Sequence, residues 1–271
     1  MTTSVTKQLL PIYDKPMIFY PLASLMRAGM KEVMIISTPR DLPMIEQLLG
    51  DGSWLGIRIV YAVQPEPKGI AQALIIAEDF VCGEPCCLIL GDNIFYGQGV
   101  VDAFSDATKL TDGAMVFAYR VKDSARYGVV EFDADFNALS IEEKPSAPKS
   151  NYAVTGVYFY DGEAASIAKS LAPSARGEFE ITDVNKAYLE RGKLKVGRLR
   201  RGNAWLDTGT PKSLLAASQF VATIEERQSM KIACIEEISL NKGYINRADL
   251  EAIIAERYPK NEYGDYLKDI I

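Results

Sequence analysis

Two aspartates follow short apolar stretches of this sequence. Asp92 comes after the run at residues 86–90 and Gly91, and Asp207 comes directly after Ala-Trp-Leu at residues 204–206. An apolar run without alternation is typical of a strand covered on both faces, as in a parallel sheet between helices. Because such sheets bind ligands just beyond the carboxyl ends of their strands, both carboxylates are expected where a ligand or a metal would lie.

Two lysines could complete a phosphate-binding site with these aspartates. Lys144 follows two glutamates at the end of a predicted strand, and Lys7 lies in an amino-terminal loop. Carboxylates are ligands for Mg²⁺, and ammonium groups neutralise phosphates. Taken singly, each residue has a competing interpretation as a solvated surface charge. For Asp92 the competing interpretation is a turn cap, with Asn93 beginning the next helix.

The composition excludes several other chemistries. The sequence contains no histidine, which rules out Ser-His-Asp and Cys-His catalysis and any histidine metal site. Its net charge of −6 argues against a nucleic acid or an anionic membrane as the main partner, but is compatible with a small phosphorylated ligand. The 271 residues, 48% of them hydrophobic, indicate a soluble globular protein with a substantial core.

The cysteines indicate a reducing compartment. Cys82, Cys86, Cys87 and Cys234 form no CxxC motif, and three of them lie in or beside the predicted buried strand. We therefore expect reduced core thiols in a cytoplasmic protein, and neither a zinc site nor a disulfide framework. The sequence shows no signal peptide and no apolar run long enough to cross a membrane.

The order of the predicted elements indicates an α/β fold with a mainly parallel, doubly wound, Rossmann-like sheet. The first half alternates predicted helices (18–28, 41–49, 70–77, 98–109) with predicted strands (32–37, 57–63, 86–90, 113–121). Segments 127–132 and 138–142 flank a polar turn and predict an inserted β-hairpin. Strands at 152–160 and 193–198, helices at 163–170 and 181–191, and a helix from Pro211 complete this part.

We predict one compact domain with an appendage. Residues 1–230 form the domain, with halves at about 1–121 and 122–230, and residues 231–271 form a helical, Tyr-rich appendage. The appendage carries more apolar side chains than a helical tail usually exposes, which predicts a homo-oligomer. Burial on the chain's own core is the competing interpretation. The apolar residues concerned are Ile232, Ile235, Ile238, Leu240, Tyr244, Tyr258, Tyr263, Tyr266 and Leu267.

A loop rich in proline and glycine, at residues 64–69, joins a predicted strand to a predicted helix. It begins with Gln64 and ends with Gly69. The amino end of a helix attracts anions, so this loop could bind a phosphorylated ligand. An ordinary strand–helix connection is the alternative.

These stretches together resemble the motifs of the glucose-1-phosphate thymidylyltransferases, in the sugar nucleotidyltransferase superfamily. The first match, at residues 7–17, begins Lys-Gln-Leu-Leu-Pro, and the match at 90–93 reads Leu-Gly-Asp-Asn. The others lie at residues 64–72, 126–132, 142–145, 154–156, 177–185 and 205–209. They cover essentially the whole chain in order, and together they are highly specific.

The resemblance implies an enzyme that makes dTDP-glucose and pyrophosphate from dTTP and glucose 1-phosphate. It also implies Mg²⁺ as cofactor, a homotetramer, and a place in nucleotide-sugar, dTDP-rhamnose and polysaccharide biosynthesis. A sugar phosphate is already an ionised nucleophile, so no general base is needed. Neutralisation of phosphate charge and in-line positioning address the remaining barrier.

The same resemblance assigns roles to individual residues. Asp92 and Asp207 would hold Mg²⁺ and, with Lys7 and Lys144, would be the catalytic residues. The nucleotide-binding residues would be Lys7, Gln8, Gln64, Gly69 and Asp92. The sugar-binding residues would be Asn93, Tyr127, Gly128, Glu143, Lys144 and Val154. Tyr127, Tyr158 and Trp205 could form the wall of the sugar pocket, with core packing as the competing interpretation.

The sequence departs from the family at its beginning. Family members carry a strand and a Gly-rich loop before the Lys-Gln-Leu-Leu-Pro motif, whereas residues 1–6 match the stretch that follows the loop. We expect a start at an internal methionine, since the later motifs are intact; a degenerate relative is the alternative. The chain as written is then expected to be nearly inactive, because the loop holds the nucleotide phosphates and its strand is central to the sheet.

Two other functions stay open. A uridylyl- or cytidylyltransferase would share the fold and the carboxylate pair, since a thymine methyl group is a small feature to recognise. A non-catalytic nucleotide-sugar-binding protein is the alternative outside the enzymes, because the Gly-rich loop is absent.

Overall fold

The computed structural model describes residues 5–271. The strands are β1 Pro11–Ile12, β2 Lys15–Pro16, β3 Glu32–Ser37, β4 Arg58–Val63, β5 Cys86–Ile89, β6 Asn93–Tyr96, β7 Ala114–Arg120, β8 Gly128–Phe132, β9 Ala138–Glu143, β10 Tyr152–Tyr160, β11 Leu194–Arg198 and β12 Ala204–Asp207. The helices are α1 Phe19–Arg27, α2 Leu42–Leu49, α3 Gln72–Ile76, α4 Glu78–Val81, α5 Gln98–Ala107, α6 Ala164–Ser170, α7 Ile181–Glu190, α8 Pro211–Gln228, α9 Ile235–Asn241, α10 Arg247–Arg257 and α11 Glu262–Asp269. Short 3-10 turns occur at Lys7–Leu9, Ser53–Leu55 and Ser124–Arg126.

The chain folds into two compact units that are interleaved in sequence. The first contains the chain up to Tyr61, Gly91–Phe95 and Leu206–Ile271, and the second contains Ala62–Leu90 and Tyr96–Trp205. The predicted boundaries near residues 121 and 230 stay a prediction. The predicted match of residues 1–6 falls largely on residues 1–4, outside the described part of the chain.

Strand β10 organises the sheet of the second unit, whose order is β11-β7-β10-β8-β9, with β5 paired to another stretch of β10. β10 is antiparallel to β5, β7 and β8, whereas β11 is parallel to β7 and β9 is antiparallel to β8. It follows that β5, β7, β8 and β11 all point one way, and only β9 and β10 point the other way. The predicted α/β fold with a mainly parallel sheet is confirmed in this sense.

The ladders around β10 are nevertheless antiparallel, which the sequence did not predict. An apolar run reports burial but not strand direction. All but the first residue of β10 are buried, and Tyr160 and Tyr188 pack with their ring centroids 5.6 Å apart in the core of this unit. The residues of β5 are only half-buried, contrary to the prediction, because within residues 5–271 β5 has β10 as its one strand neighbour.

The predicted hairpin is confirmed as β8 and β9. The two strands pair antiparallel from Gly128 with Glu143 to Phe132 with Ala138. Asp133 closes the turn, because its Oδ1 accepts hydrogen bonds from the backbone N–H groups of Asp135 and Asn137, both at 2.9 Å. A short carboxylate that satisfies turn amides is the usual device at such a position.

The carboxyl-terminal helices belong to the first unit and contribute buried side chains to it. Ile235 and Leu267 are fully buried, and Ile232 and Tyr263 are each 9% exposed, which supports the burial interpretation for these residues. An ion cluster around a buried lysine continues this packing: Lys15, 2% exposed, pairs with the partly exposed Asp14 and, at 2.9 Å, with the buried Glu225 of α8. Burial alone would raise the pKa of Asp14, but Lys15 and Lys231 together hold it below its usual value.

The four cysteines are unpaired in the structure, and they are not all in the core, contrary to the prediction. Cys234 is buried, Cys86 and Cys87 are half-buried, and Cys82 is exposed at the end of α4. Burial raises the pKa of the Cys86 thiol to about 11, which keeps that thiol protonated and unreactive at neutral pH. No helix among residues 5–271 has the length and apolar character needed to span a bilayer.

Candidate active site

Asp92 lies in the connection between β5 and β6. The competing interpretation, in which Asn93 begins a helix, is wrong, since Asn93 begins strand β6, which pairs with β12. Gly91 permits a close contact before the aspartate: a Cβ atom on Gly91 would lie 2.9 Å from Cγ of Gln8. The structure therefore places Gln8 against the same turn as Asp92.

Both carboxylate oxygens of Asp92 have partners. Oδ2 forms an ion pair with Nζ of Lys7, and Oδ1 accepts a hydrogen bond from Nδ2 of Asn93 at 2.9 Å. The side chains of Lys7 and Asp92 are 28% and 20% exposed, so the pair is accessible to a ligand. The buried Asn93 and the partly exposed Lys7 thus orient the carboxylate of Asp92.

Asp207 is joined to Asp92 through Thr208. The backbone N–H and the hydroxyl of Thr208 both donate to the carbonyl oxygen of Asp92, at 3.2 and 2.8 Å. Thr208 is 1% exposed, so these two bonds are made inside the protein. Oδ1 of Asp207 accepts the N–H of Gly209 at 3.1 Å, and α8 begins at Pro211 behind a capping box made by Thr210 and Ser213.

The donor set of this first group fits a magnesium ion that also binds the substrate. No arrangement of three or more Cys, Asp or Glu side chains suited to a metal occurs within residues 5–271. Mg²⁺ usually keeps several waters and takes one or two carboxylates together with substrate phosphates. Asp92 and Asp207 provide that smaller set, whereas a fully protein-made cage would need more ligands.

A second group of predicted residues lies in the second unit, around Glu143. Its Oε2 accepts a hydrogen bond from the hydroxyl of Thr182 at 2.6 Å. A Cβ atom on Gly128 would lie 3.3 Å from that oxygen and 3.7 Å from Cβ of Val154. Glycine therefore leaves room beside a carboxylate that is fixed by a threonine.

Lys144 adopts an unusual backbone conformation beside this carboxylate. Its φ is 42°, in the left-handed region that lysine rarely adopts, and its N–H donates to the carbonyl of Tyr127 at 3.0 Å. Its Nζ lies 3.7 Å from Oε1 of Glu143, and the side chain is 51% exposed. Strained backbone that is held by neighbouring bonds is characteristic of functional positions.

The loop that contains Gln64 and Gly69 is tied to the segment before α7. Gly69 has a φ of 101°, and a Cβ atom there would lie 2.4 Å from the carbonyl oxygen of Phe179. Phe179 also accepts from the N–H of Ala71 at 3.1 Å, and Nε2 of Gln64 donates to Oε1 of Gln72 at 2.7 Å. Only glycine permits such a short distance between residue 69 and the Phe179 carbonyl. At the helix end that was predicted to attract anions, the N–H of Ala71 already donates to Phe179, so fewer backbone N–H groups remain for an anion.

The aromatic residues separate into two kinds. The rings of Tyr127 and Trp205 meet edge to face at 5.2 Å, and Tyr127 is half-buried. Tyr158 is 5% exposed and stacks on Tyr160 within the core of the unit. Core packing is thus supported for Tyr158, whereas Tyr127 retains exposed surface near Gly128.

Comparison with known proteins places the chain in a family. The family model described as nucleotidyl transferase matches residues 1–224. A glucose-1-phosphate thymidylyltransferase from Neisseria gonorrhoeae is 55% identical over 271 residues, which is 100% of this chain and 94% of the relative. The chain belongs to the glucose-1-phosphate thymidylyltransferases, within the nucleotidyl transferase family.

Two solved structures agree with the fold. The structure of a provisionally assigned glucose-1-phosphate thymidylyltransferase from Bacillus anthracis, in complex with sucrose, is 40% identical with a TM-score of 0.75. It covers 81% of this chain and 87% of the other. A UDP-glucose pyrophosphorylase in complex with UDP-glucose has a TM-score of 0.70 over 82% of this chain and 91% of the other, and at 23% identity it shows the fold alone.

The structure groups the residues singled out by the family motifs. Lys7, Gln8, Asp92, Asn93 and Asp207 come together in the first unit. Tyr127, Gly128, Glu143, Lys144 and Val154 come together in the second unit, where Gln64 and Gly69 form a separate loop.

Three residues with a structural part in the site were not singled out from the sequence. Thr208 bonds to Asp92, Thr182 bonds to Glu143, and Gln72 bonds to Gln64. All three lie inside the family motifs at 205–209, 177–185 and 64–72. Their polar side chains within the motifs could have marked them as candidates. The sequence does not show, however, which carboxylate or amide each one contacts.

Proposed function

We propose that this protein joins dTTP to glucose 1-phosphate and releases dTDP-glucose and pyrophosphate. The observation that carries the proposal is the Lys7–Asp92–Thr208–Asp207 group, found in a chain that matches named thymidylyltransferases along its whole length. Two carboxylates and a lysine on rigid, mutually bonded backbone suit the binding of a metal and phosphates.

The reaction is an in-line displacement at the α-phosphorus of dTTP. An oxygen of glucose 1-phosphate forms the new bond to that phosphorus, while the bond to the β-phosphate bridging oxygen breaks. The electron pair of the broken bond leaves with pyrophosphate. No proton has to be removed from the nucleophile, which accords with a chain that has no histidine. The chain's contribution is charge neutralisation and positioning.

Nucleotidyl transferases generally use a divalent metal, and we propose Mg²⁺ held by Asp92 and Asp207. When bound, Mg²⁺ supplies neutralisation of the phosphate charge. Thr208 keeps the backbone of Asp92 against the strand that carries Asp207, so the two backbone segments that carry the carboxylates are joined before a ligand arrives. Asn93 keeps the other oxygen of Asp92 in a defined orientation.

The remaining residues are proposed to bind the two substrates. Lys7 and Gln8 bind the nucleotide phosphates, and Gln64 and Gly69 contact the thymine. Lys144 binds the phosphate of glucose 1-phosphate. This assignment is supported by the fixed backbone of Lys144 and by its accessible ammonium group. The proposed sugar-binding residues are Asn93, Tyr127, Gly128, Glu143 and Val154.

The assay that tests this function measures pyrophosphate release from dTTP, Mg²⁺ and glucose 1-phosphate. Parallel reactions contain UTP or CTP in place of dTTP. We expect the highest kcat/KM with dTTP. A higher value with UTP or CTP would reassign the base, and binding of dTDP-glucose without any pyrophosphate release would make the protein a non-catalytic binder.

Thr208→Val is expected to raise the Mg²⁺ concentration needed for half-maximal turnover, because it removes the 2.8 Å bond to Asp92. The loss of one buried hydrogen bond costs about 0.5–1.5 kcal/mol. Thr208→Ser should restore the wild-type requirement. Thr155→Val is the matched control: Thr155 is fully buried, and its hydroxyl has no hydrogen-bond partner among the described residues. An unchanged Mg²⁺ requirement in Thr208→Val would show that Thr208 does not position the carboxylate.

We also propose a homo-oligomer, a tetramer by the family resemblance. Much of the carboxyl-terminal segment is buried within the first unit, so that segment no longer supports the proposal by itself. The support comes from other apolar side chains of the first unit that are exposed. Leu215 is 60% exposed, Met230 56% and Tyr13 46%. Light scattering at micromolar concentration should give a multiple of the 29.9 kDa chain mass, and a monomer mass would contradict the proposal.

The proposed place of action is the cytoplasm, in nucleotide-sugar, dTDP-rhamnose and polysaccharide biosynthesis. Four unpaired cysteines support a reducing compartment.

A further inference from the structure

The surroundings of Asp92 differ in how readily they can move. Thr208 and Asn93 are 1% and 3% exposed, and both hold Asp92 from inside the protein. The Lys7 side chain, which occupies Oδ2, is 28% exposed. A lysine carries its charge on a flexible four-carbon chain, so Lys7 is the contact that can be exchanged.

The backbone of Lys7 is fixed, so only its side chain has to move. Lys7 begins a 3-10 turn in which the N–H of Leu10 donates to the carbonyl of Lys7 at 3.0 Å. The next residue, Gln8, accepts the N–H of Ile18 at 2.9 Å. A rotation of the Lys7 side chain away from Asp92 therefore leaves the surrounding chain in place.

We propose that Lys7 is the counter-ion of Asp92 in the substrate-free protein and keeps a divalent metal from binding to Oδ2. The inference rests on the proposed metal role of Asp92. A metal ion would use Oδ2 of Asp92 as a ligand, and the ammonium group of Lys7 uses the same oxygen as its ion-pair partner. The two cations therefore compete for this oxygen. A polyphosphate offers Lys7 another anion and releases Oδ2.

A thermodynamic consequence follows from this exchange. If the nucleotide draws Lys7 away from Asp92, then the nucleotide favours metal binding, and by linkage the metal favours nucleotide binding to the same extent. The metal would therefore enter the site together with the nucleotide, and the substrate-free protein would bind it weakly.

The test measures Mn²⁺ binding to the purified protein without nucleotide, from the electron paramagnetic resonance signal of free Mn²⁺. Lys7→Gln is expected to bind Mn²⁺ about tenfold more tightly than wild type, which corresponds to ~1.4 kcal/mol. Lys7→Met removes the same charge and should behave alike, whereas Lys7→Arg keeps the charge and should bind weakly. Melting temperatures confirm that each variant is folded.

Two controls make the result specific. Lys212→Gln removes one positive charge at an exposed position near the start of α8 and should leave Mn²⁺ affinity close to wild type. The double variant Lys7→Gln with Asp92→Asn should bind no more tightly than Asp92→Asn alone, because the effect of Lys7 acts through Asp92.

The outcomes separate this inference from the proposed function. If Lys7→Gln and Lys7→Met bind Mn²⁺ no more tightly than wild type or Lys212→Gln, then Lys7 does not exclude the metal. If instead Asp92→Asn fails to weaken Mn²⁺ binding in the presence of dTTP, then the metal assignment itself is wrong. Tighter binding in both Lys7 variants, absent from the double variant, supports the inference.

Discussion

Asp92→Asn and Asp207→Asn are each expected to reduce Mg²⁺-dependent turnover at least about a hundredfold while the protein stays folded. The loss of one preorganised electrostatic contact typically costs ~10²–10³ in rate. Asparagine has the shape of aspartate, and neither carboxylate is fully buried, so the packing cost is small. The backbone bonds between Thr208 and Asp92 do not involve the carboxylate and should persist.

The measurement is pyrophosphate release across a Mg²⁺ titration, together with the melting temperature of each variant. Asp112→Asn is the matched control, because Asp112 is a carboxylate in an exposed pair with Lys193 in the other unit. It should retain wild-type turnover. Near-normal activity of Asp92→Asn or Asp207→Asn at low Mg²⁺ would show that the substituted carboxylate does not hold the metal.

Lys144→Ala is expected to raise the KM for glucose 1-phosphate about ten- to a hundredfold, with a much smaller change for dTTP. A charge-assisted hydrogen bond contributes roughly 1.5–3 kcal/mol, which corresponds to that range. Alanine has the same Cβ as lysine, so the strain at a φ of 42° is the same in both proteins. The bond from the N–H of residue 144 to Tyr127 is also kept.

Steady-state kinetics with each substrate varied in turn would measure this effect. Lys149→Ala is the control, since Lys149 is a similarly exposed lysine that pairs with Glu142 at 2.8 Å. It should leave both KM values close to wild type. Equal weakening for dTTP and glucose 1-phosphate would place Lys144 on phosphates that both substrates share, and an unchanged KM for glucose 1-phosphate would remove it from the site.

Most secondary-structure elements could be located from the sequence alone. Helix α1 and strands β3, β7 and β10 occur within one or two residues of their predicted bounds, because the periodicity that indicates them is a property of neighbouring residues. The positions of Asp92 and Asp207 at strand ends followed from the same local pattern. The family motifs added the functional grouping of residues far apart in the chain.

The direction of β10 and the partners of the site residues depend on the tertiary structure. An apolar strand fits a sheet in either direction. The antiparallel pairing of β10 with β5 and β7 therefore depends on the path of the chain between these strands. Asn93 lies in a strand and not in a helix because β6 pairs with β12, a partner more than one hundred residues away. Propensity at Asn93 could not report that pairing.

The contacts of the site depend on long-range proximity in the same way. Lys7 and Asp92 are separated by 85 residues, Thr208 and Asp92 by 116, and Thr182 and Glu143 by 39. The sequence identified residue types that could bind metal and phosphate. The hydrogen bonds that orient those residues, and the ion pair that places Lys7 on Asp92, form only when the folded chain brings distant segments together.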